Sequence, residues 1–405
     1  ALKNIEFKST ESIGDYAFYK CTTLSEVVLP ASLTLVGTHV FAECSTLRKV
    51  TLNNTVLGKY MFYKCVTLGG YDKSENKALN PIIFAEDTTV IPGWCFAYCH
   101  ELSEVKYPSS LQLIEDYAFY ECNMYLKEVK LPDGCEVLGE HAFQQCTSLT
   151  TIYLSASMET IKSYAFYGCI NIQEIVVPQG VKIVSDYAFA ECYELTTIKI
   201  PSSVTYIGRG ALYGCVKLES IFLPFVGAYK GGSRDDASLF GYIFGGLNDT
   251  YIAADGSINN MTYVQSNASS FWQFEQRYYN VRSFDSNFAP IAITKEDESK
   301  ELKSTLYYVP KTLKTVNITN ETVFGYGAFM NCDWLQNFYY HYVDYSGYNF
   351  AGNYSAIPDE QVTTNTKIDD YAFFNMGGLL GSSFQRNGNK QTSAIALYDD
   401  VSTNN

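Results

Sequence analysis

The stretch Ile13-Gly14-Asp15-Tyr16-Ala17-Phe18-Tyr19-Lys20-Cys21, continued by Leu24-Ser25-Glu26-Val27-Val28-Leu29-Pro30, decides the fold. It returns along the chain with small changes. Ten cysteines stand at positions 21, 44, 65, 99, 122, 146, 169, 192, 215 and 332, and from Cys99 to Cys215 the steps are 23, 24, 23, 23 and 23. Each lies three residues after a Phe, with Leu212 taking that place once. A small residue usually precedes the Phe, as in Ala118-Phe119, Ala142-Phe143, Ala165-Phe166 and Ala188-Phe189. Five residues before it sits an aliphatic side chain: Ile13, Val36, Leu57, Ile91, Ile114, Leu138, Ile161, Val184 or Ile207. Apolar pairs such as Val27/Leu29, Val50/Leu52, Ile152/Leu154 and Ile198/Ile200 follow the Cys, and a proline often closes the unit.

The period sets the architecture. Two helices with their turns need more than about thirty residues, so helical-pair repeats do not fit, whereas a unit of roughly 20 to 29 residues carrying Leu-x-x-Ile-x-Leu fits a leucine-rich repeat. In Leu24-Ser25-Glu26-Val27-Val28-Leu29 the end alternates in, out, in, which is the pattern of a short strand. Neighbouring copies are expected to stack about 4.8 Å apart as a parallel ladder. Parallel strands require crossovers, and the Ile-Gly to Cys segment supplies one. Its spacing predicts a short helical turn: Ile13 and Ala17 are four apart, Phe18 and Cys21 three apart. Asp15, Thr38, Asp116, Ser163, Asp186 and Asp370 then stand where N-cap residues belong. The fold class that follows is an α/β solenoid, a leucine-rich repeat array of about 23-residue units with a parallel strand ladder and short helical turns. No unit buries its apolar face alone; stacking makes the core continuous.

The array is expected over residues 1–224, with a polar loop at residues 69–80. The pattern then stops, and residues 225–306 are expected to be an inserted subdomain or a pair of degenerate repeats, since a structureless loop of that length is unusual. It resumes over residues 307–405, with Gly327-Ala328-Phe329-Met330-Asn331-Cys332 and Ile368-Asp369-Asp370-Tyr371-Ala372-Phe373, and closes in a polar C-terminal cap. Residues 2–7 read as the strand half of a unit, which leads us to expect a longer parent chain.

These motifs resemble the BspA-like (Treponema-type) leucine-rich repeat family, whose pattern reads approximately Leu-x-x-Ile-x-Ile-Pro-x-x-Val-x-x-Ile-Gly-x-x-Ala-Phe-x-x-Cys. Residues 198–208 carry its central half and residues 13–21 its second half. The resemblance covers residues 1–224 closely and about 307–376 more loosely. It implies an extracellular or cell-surface bacterial protein that adheres to host proteins, matrix or other microbes.

Composition narrows the chemistry. With 43 acidic and 29 basic side chains and a formal charge of −14, the chain is no partner for nucleic acid, which needs clustered Lys and Arg. No apolar run approaches the roughly 18 to 20 residues that span a bilayer. No nucleophile elbow, phosphate loop or His-Glu-x-x-His is present, and no cofactor is expected. Cys95 and Cys99 have zinc-like separation, yet both occupy inward slots of the repeat. The cysteines are read as buried free thiols acting as small apolar side chains. His39, His100, His141 and His341 form no close pair. Asn248 and Asn317 open Asn-x-Thr triplets.

Recognition is expected on the outward strand positions. These read Glu26/Val28, Lys49/Thr51, Glu104/Lys106, Glu128/Lys130, Thr151/Tyr153, Glu174/Val176, Thr197/Lys199 and Ser220/Phe222. A solenoid usually makes this a concave binding face. Glu104, Lys106, Glu128, Lys130, Tyr153, Lys199 and Phe222 are the candidate partner-binding residues, with Tyr153 and Phe222 as anchors. The aromatic slot before the small residue (Tyr16, His39, Tyr60, Trp94, Tyr117, His141, Tyr164, Tyr187, Tyr371) could bind sugar or protein; packing over the neighbouring turn is the preferred reading. The chain is thus expected to be a monomeric, non-catalytic adhesion scaffold for a protein or glycan on host or microbial surfaces. The alternatives are a structural spacer, or a glycan-active or glycan-binding site in residues 225–306. There Phe271, Trp272, Tyr278 and Tyr279 lie near Asp235, Asp236, Asp255 and Glu275.

Overall fold

The computed structural model describes residues 2–231, 236–246 and 304–321. Beyond these it describes residues 328–329, 332 and 335–336 and ten short strands: Thr250–Ile252, Ile258–Asn260, Gln273–Tyr279, Ser283–Phe284, Pro290–Ile291, Val323–Phe324, Asn337–Tyr340, Lys367–Ile368, Phe384–Arg386 and Asn389–Gln391. The chain divides into two compact units, Ala1–Ile198 and Lys199–Asn405.

In the first unit the coils build parallel ladders on two walls, the second of them interrupted at the Leu57 coil. The first joins Asn4–Glu6 to Glu26–Leu29 and Lys49–Leu52, Ile82–Ile83 to Val105–Lys106, and Glu128–Lys130 to Thr151–Tyr153. Val27, Leu29, Val50 and Leu52 point inward and are buried, as the alternation requires. The second ladder uses two residues per coil: Val90–Ile91, Leu113–Ile114, Val137–Leu138, Thr160–Ile161 and Ile183–Val184 pair in order. Here the second residue of each pair is buried. These are the aliphatics five residues before the Phe.

The expected helical turn is not there. Among the described residues no α-helix occurs, and the only helical pieces are short 3-10 segments at Asp236–Ser238 and Phe240–Phe244. The crossover is instead a pair of tight turns whose amides serve two coils alternately. Tyr19 N–H donates to Tyr16 O at 3.0 Å and Cys21 N–H to Phe18 O at 3.2 Å, within the coil. Tyr16, Phe18 and Lys20 donate instead to Thr38, Val40 and Ala42 of the next coil, each at 2.9 Å. In an α-helix all amides point along one axis toward carbonyls of their own segment, so amides that alternate between the carbonyl three residues back and the next coil do not form one.

Two residues per turn also have positive φ, at Tyr16 (55°) and Lys20 (57°), at Tyr117 (60°) and Glu121 (53°), and likewise in the other coils. That conformation reverses the chain and breaks a right-handed helix. The spacing of four between Ile13 and Ala17 therefore reports a turn that returns to the same wall. The N-cap assignment changes with it. Asp15 Oδ1 accepts from Thr38 N–H at 2.6 Å and Asp116 Oδ1 from Glu140 N–H at 2.8 Å, so the carboxylate ties one coil to the next. Gly37 is needed here, because a Cβ would lie 2.5 Å from the Asp15 nitrogen. Asp370 lies outside the described residues.

Two columns fill the interior. Phe18, Phe41, Phe62, Phe96, Phe119, Phe143, Phe166 and Phe189 stack with ring centroids 5.1 to 5.8 Å apart. Beside them runs the thiol column. Cys44, Cys65, Cys99, Cys122, Cys146 and Cys169 each donate an S–H to the Phe carbonyl of the preceding coil at 3.1 to 3.2 Å. All twelve cysteines are free. Burial pushes the Cys44 and Cys146 thiols up to about 12 and raises Cys65, Cys99, Cys122 and Cys169 well above the ordinary thiol value.

Residues 69–80 form a hairpin, Tyr71–Asp72 against Lys77–Ala78, in place of the expected loop. Tyr71 stacks on Tyr125 at 4.5 Å, and Lys127 Nζ donates to the Tyr71 hydroxyl at 3.1 Å and to Asn76 Oδ1 at 3.0 Å.

In the second unit Ser220–Leu223 pairs directly with Thr315–Ile318, which pairs with Asn337–Tyr340. Residues 224–314 separate these two neighbouring strands in sequence. Within them, Phe240–Phe244 takes a turn position: Leu212 N–H donates to Ile243 O and Phe240 N–H to Ala328 O, both at 2.8 Å. Gln273–Tyr279 and Ser304–Pro310 form an antiparallel pair. The buried Glu321 carboxylate accepts from Val226 N–H at 3.1 Å and Gly231 N–H at 2.9 Å, fixing the chain where it leaves the repeat.

The thiol column yields a prediction. A thiol reagent should label one group quickly in the native protein, the half-buried Cys21, because the other cysteines are buried. Unfolded without reductant, the protein should release all twelve. A count below twelve would reveal bridges and overturn the packing described for the column.

Candidate functional site

The first ladder places its outward residues in two parallel rows. One row carries Glu104, Glu128, Thr151 and Glu174; the other carries Ile83, Lys106, Lys130, Tyr153 and Val176. Lys130 stands in register with Tyr153, and Glu128 with Thr151. Lys106, Glu128, Lys130 and Tyr153 are exposed and Glu104 is half-buried. Tyr153 exposes 40% of its surface, more than an aromatic ring needs for packing alone.

Charge pairing divides this face. Lys49 bonds Glu26 at 2.5 Å, and Lys106 meets Glu104 at 3.5 Å. Glu128 and Lys130 repeat the Glu104/Lys106 pattern one coil on, yet neither makes an ion pair among the described residues. Lys199 and Phe222, the other candidates, belong to the second unit. Both are half-buried there, and Phe222 stands in register with Asn317.

The aromatic slot forms a ladder of its own. Tyr16, His39, Tyr60, Trp94, Tyr117, His141, Tyr164 and Tyr187 stack face to face with centroids 4.2 to 5.6 Å apart and planes within 17°. Each ring from His39 to Tyr164 is covered on both faces. A sugar stacks on an open ring face, and the rings from His39 to Tyr164 offer none. Stacking also accounts for bulky residues at positive φ. That conformation costs of order 1–3 kcal/mol, and an aromatic pair contributes about 0.5–1.5 kcal/mol. Two pairs per ring offset much of the strain.

Beside the ladder lies a groove of about 460 Å³ lined by Lys59, Trp94, Leu113, Glu115, Asp116, Tyr117 and Lys162, with Gly93 and Gly139 as its floor. Its charges are matched. Lys59 meets Glu115 at 3.3 Å, Lys162 meets Asp116 at 3.9 Å, and Glu115 Oε2 also accepts from Gly93 N–H at 2.9 Å. A Cβ on Gly139 would close the floor at 2.4 Å from the Asp116 nitrogen.

The remaining candidates separate. Among the described residues no group of three or more His, Cys, Asp or Glu is placed to hold a metal ion, and no helix is long and apolar enough to cross a membrane. Asn317 is buried within its strand. Asn248, Tyr371 and His341 lie outside the described residues, as do the side chains of Asp235, Asp236, Asp255, Phe271, Trp272, Glu275, Tyr278 and Tyr279. Sequence reasoning missed the outward positions of the second ladder, Val137 and Ile183, and Leu35 in the equivalent pairing of Leu35–Val36 with Ser12–Ile13; all three are exposed. The signal was present as an aliphatic residue just before the inward one.

These coils define a parallel-strand solenoid of the leucine-rich repeat class. A family model described as "BspA type Leucine rich repeat region (6 copies)" matches residues 1–77, 71–178, 123–227 and 276–393. The chain belongs to that family. No curated protein matches it significantly. Among solved structures, a leucine-rich repeat protein from Bacteroides ovatus ATCC 8483 is 20% identical, with a TM-score of 0.46 over 85% of this chain and 72% of that one. The T. pallidum leucine rich repeat protein is 22% identical (TM-score 0.32, 54% and 78% covered). The pneumococcal vaccine antigen PcpA is 23% identical (TM-score 0.35, 54% and 65% covered).

Two predictions follow from the ladder. Ala is normally preferred to Gly, but at Tyr117 the φ of 60° reverses the order. Tyr117→Ala should lose about 1–3 kcal/mol through its two stacks, and Tyr117→Gly should be more stable than Tyr117→Ala by about 1 kcal/mol. Urea melts that place Ala above Gly would contradict the strained turn. The second concerns His141, stacked between Tyr117 and Tyr164. Its pKa lies below the ordinary 6.5 because burial penalises the cation, against a hydrogen bond to Gln144 and the charge of Asp116. The unfolded chain therefore binds the proton more readily. The stability of the neutral ring is present above pH 6.5 and is lost as pH falls through the folded value. His141→Phe, which keeps the stack, should lose less stability than the parent between about pH 7.5 and 5; equal losses would remove His141 from the account.

Proposed function

We propose that the chain is a non-catalytic repeat scaffold, displayed outside the cell, that binds a protein on host or microbial surfaces through the outward rows of its first ladder. The observation that supports this most directly is the cluster Glu128, Lys130 and Tyr153. In neighbouring coils the equivalent charges neutralise one another within the array. Here two opposite charges and an exposed aromatic ring stand together without an internal partner. A partner that places a carboxylate on Lys130 and an apolar surface on Tyr153 gains a charge-assisted contact and a ring contact at once. Glu104 and Lys106 extend the surface, and Lys199 and Phe222 are its counterparts on the second unit. Extracellular display rests on the family resemblance, whose members are typically surface or secreted proteins.

Immobilised host matrix proteins and bacterial surface extracts, titrated with the intact chain, provide the test. Tyr153→Ala should weaken the strongest interaction by roughly thirtyfold. Lys130→Glu should abolish it, and Phe222→Ala reports the contribution of the second unit. Glu26→Ala/Lys49→Ala, which removes an internally satisfied pair, should bind like the parent. If Tyr153→Ala and Lys130→Glu also bind like the parent, the first ladder is not the recognition surface.

A further inference from the structure

The second ladder carries an outward row that the first does not resemble. Val90, Leu113, Val137, Thr160 and Ile183 stand in register along it. Their inward neighbours Ile91, Ile114, Leu138, Ile161 and Val184 are buried. A ladder with one solvated side normally alternates apolar inside with polar outside. Here the outside is aliphatic as well, apart from Thr160. Val137 and Ile183 expose 36% and 37% of their surface. Leu113 also lines the groove floored by Gly93 and Gly139, so the apolar row continues into a concavity.

The rim of this strip is acidic at its middle: the residues just before the row read Thr89, Gln112, Glu136, Glu159 and Lys182. Glu136 and Glu159 each precede a residue of the row, in coils joined by the Val137–Thr160 pair, and both are exposed. Adjacent coils lie about 4.8 Å apart, and like charges set side by side on a sheet are destabilising. Glu140 is exposed on the other side of the row. None of these three carboxylates makes an ion pair among the described residues. Of the nearby cations, Lys59 and Lys162 are already committed to Glu115 and Asp116, and Lys182 stands one coil beyond Glu159 at the end of the row.

We infer that this strip docks a basic amphipathic helix of a partner protein. Spacing favours a helix. One helix face offers a side chain about every 5.4 Å, close to the roughly 4.8 Å between coils, whereas an extended segment offers one about every 6.8 Å. Five coil positions span about 19 Å, the length of about 13 helical residues. Aliphatic side chains on that face meet Leu113, Val137 and Ile183, and flanking Lys or Arg relieve the Glu136/Glu159 repulsion. The same carboxylates repel phosphate backbones and anionic lipid. The surface is separate from the first-ladder face, and its occupancy is independent of that reading.

The test uses the full chain and a fluorescein-labelled 18-residue peptide of Leu and Lys arranged with helical period. Two comparison peptides have Lys replaced by Glu, or the same Leu and Lys in strict alternation. Anisotropy should show saturable binding of the helical Leu/Lys peptide, weaker binding of the alternating one and none of the Glu form. Glu136→Lys/Glu159→Lys should weaken binding roughly tenfold or more. Val137→Ser/Ile183→Ser should weaken it several-fold. All four positions are exposed or at the surface, and thermal melts check that the variants stay folded. Glu6→Lys/Glu75→Lys makes the same change in net charge elsewhere and should leave binding intact. Equal weakening by that control would show general attraction to an acidic chain and overturn the proposal. So would unchanged binding in both strip variants, or equal binding of the alternating peptide.

Discussion

Every turn of the array gives alternate backbone amides to its neighbour. That exchange is the constraint on which the rest depends. Tyr16, Phe18 and Lys20 cannot bond within a helix because they already bond Thr38, Val40 and Ala42. The two residues at positive φ aim them there. Once those amides are committed, the Phe ring between them must point inward and the ring before it must lie against its counterpart. The Phe carbonyl then faces the following Cys. Phe18 O accepts both the Cys21 amide of its own coil and the Cys44 thiol of the next. Local strain is thus retained only because every coil has a neighbour, which is the usual energetic logic of a repeat protein.

The period, the inward aliphatics, and the Phe and Cys columns were legible in the chain because each is a one-residue property repeated in register. The turn was not. A spacing of three or four residues marks any segment that returns to the same wall, and only φ separates a helix from paired reversals. Glycine would have given the sign away, as Gly210 and Gly214 do at φ of 61° and 72°. Tyr16, Lys20 and their equivalents conceal it, since the ring stacks and amide bonds that hold them form only between coils. The free pair Glu128/Lys130 was hidden for the same reason: its motif is identical to Glu104/Lys106, and whether a charge is satisfied depends on rotamers and neighbours. The two-residue second ladder is too short to show alternation, so its outward aliphatics passed unnoticed.

The two ladders present different chemistry from one scaffold. On the first, opposite charges run in adjacent rows and mostly cancel, leaving one place where they do not. On the second, aliphatic side chains run between carboxylates. A chain with a formal charge of −14 repels most acidic neighbours at long range, so short-range pattern has to supply selectivity. The aromatic ladder separates from both. Its ring faces from His39 to Tyr164 are closed, and its work is to hold the turns.

The thiol column has a consequence for where such a protein can mature. Thiolate, not thiol, attacks oxidants and other sulfurs, and burial withholds it. The coils therefore close without an oxidase or an isomerase. The interior is thus equally free of cross-links in reducing and in oxidising surroundings.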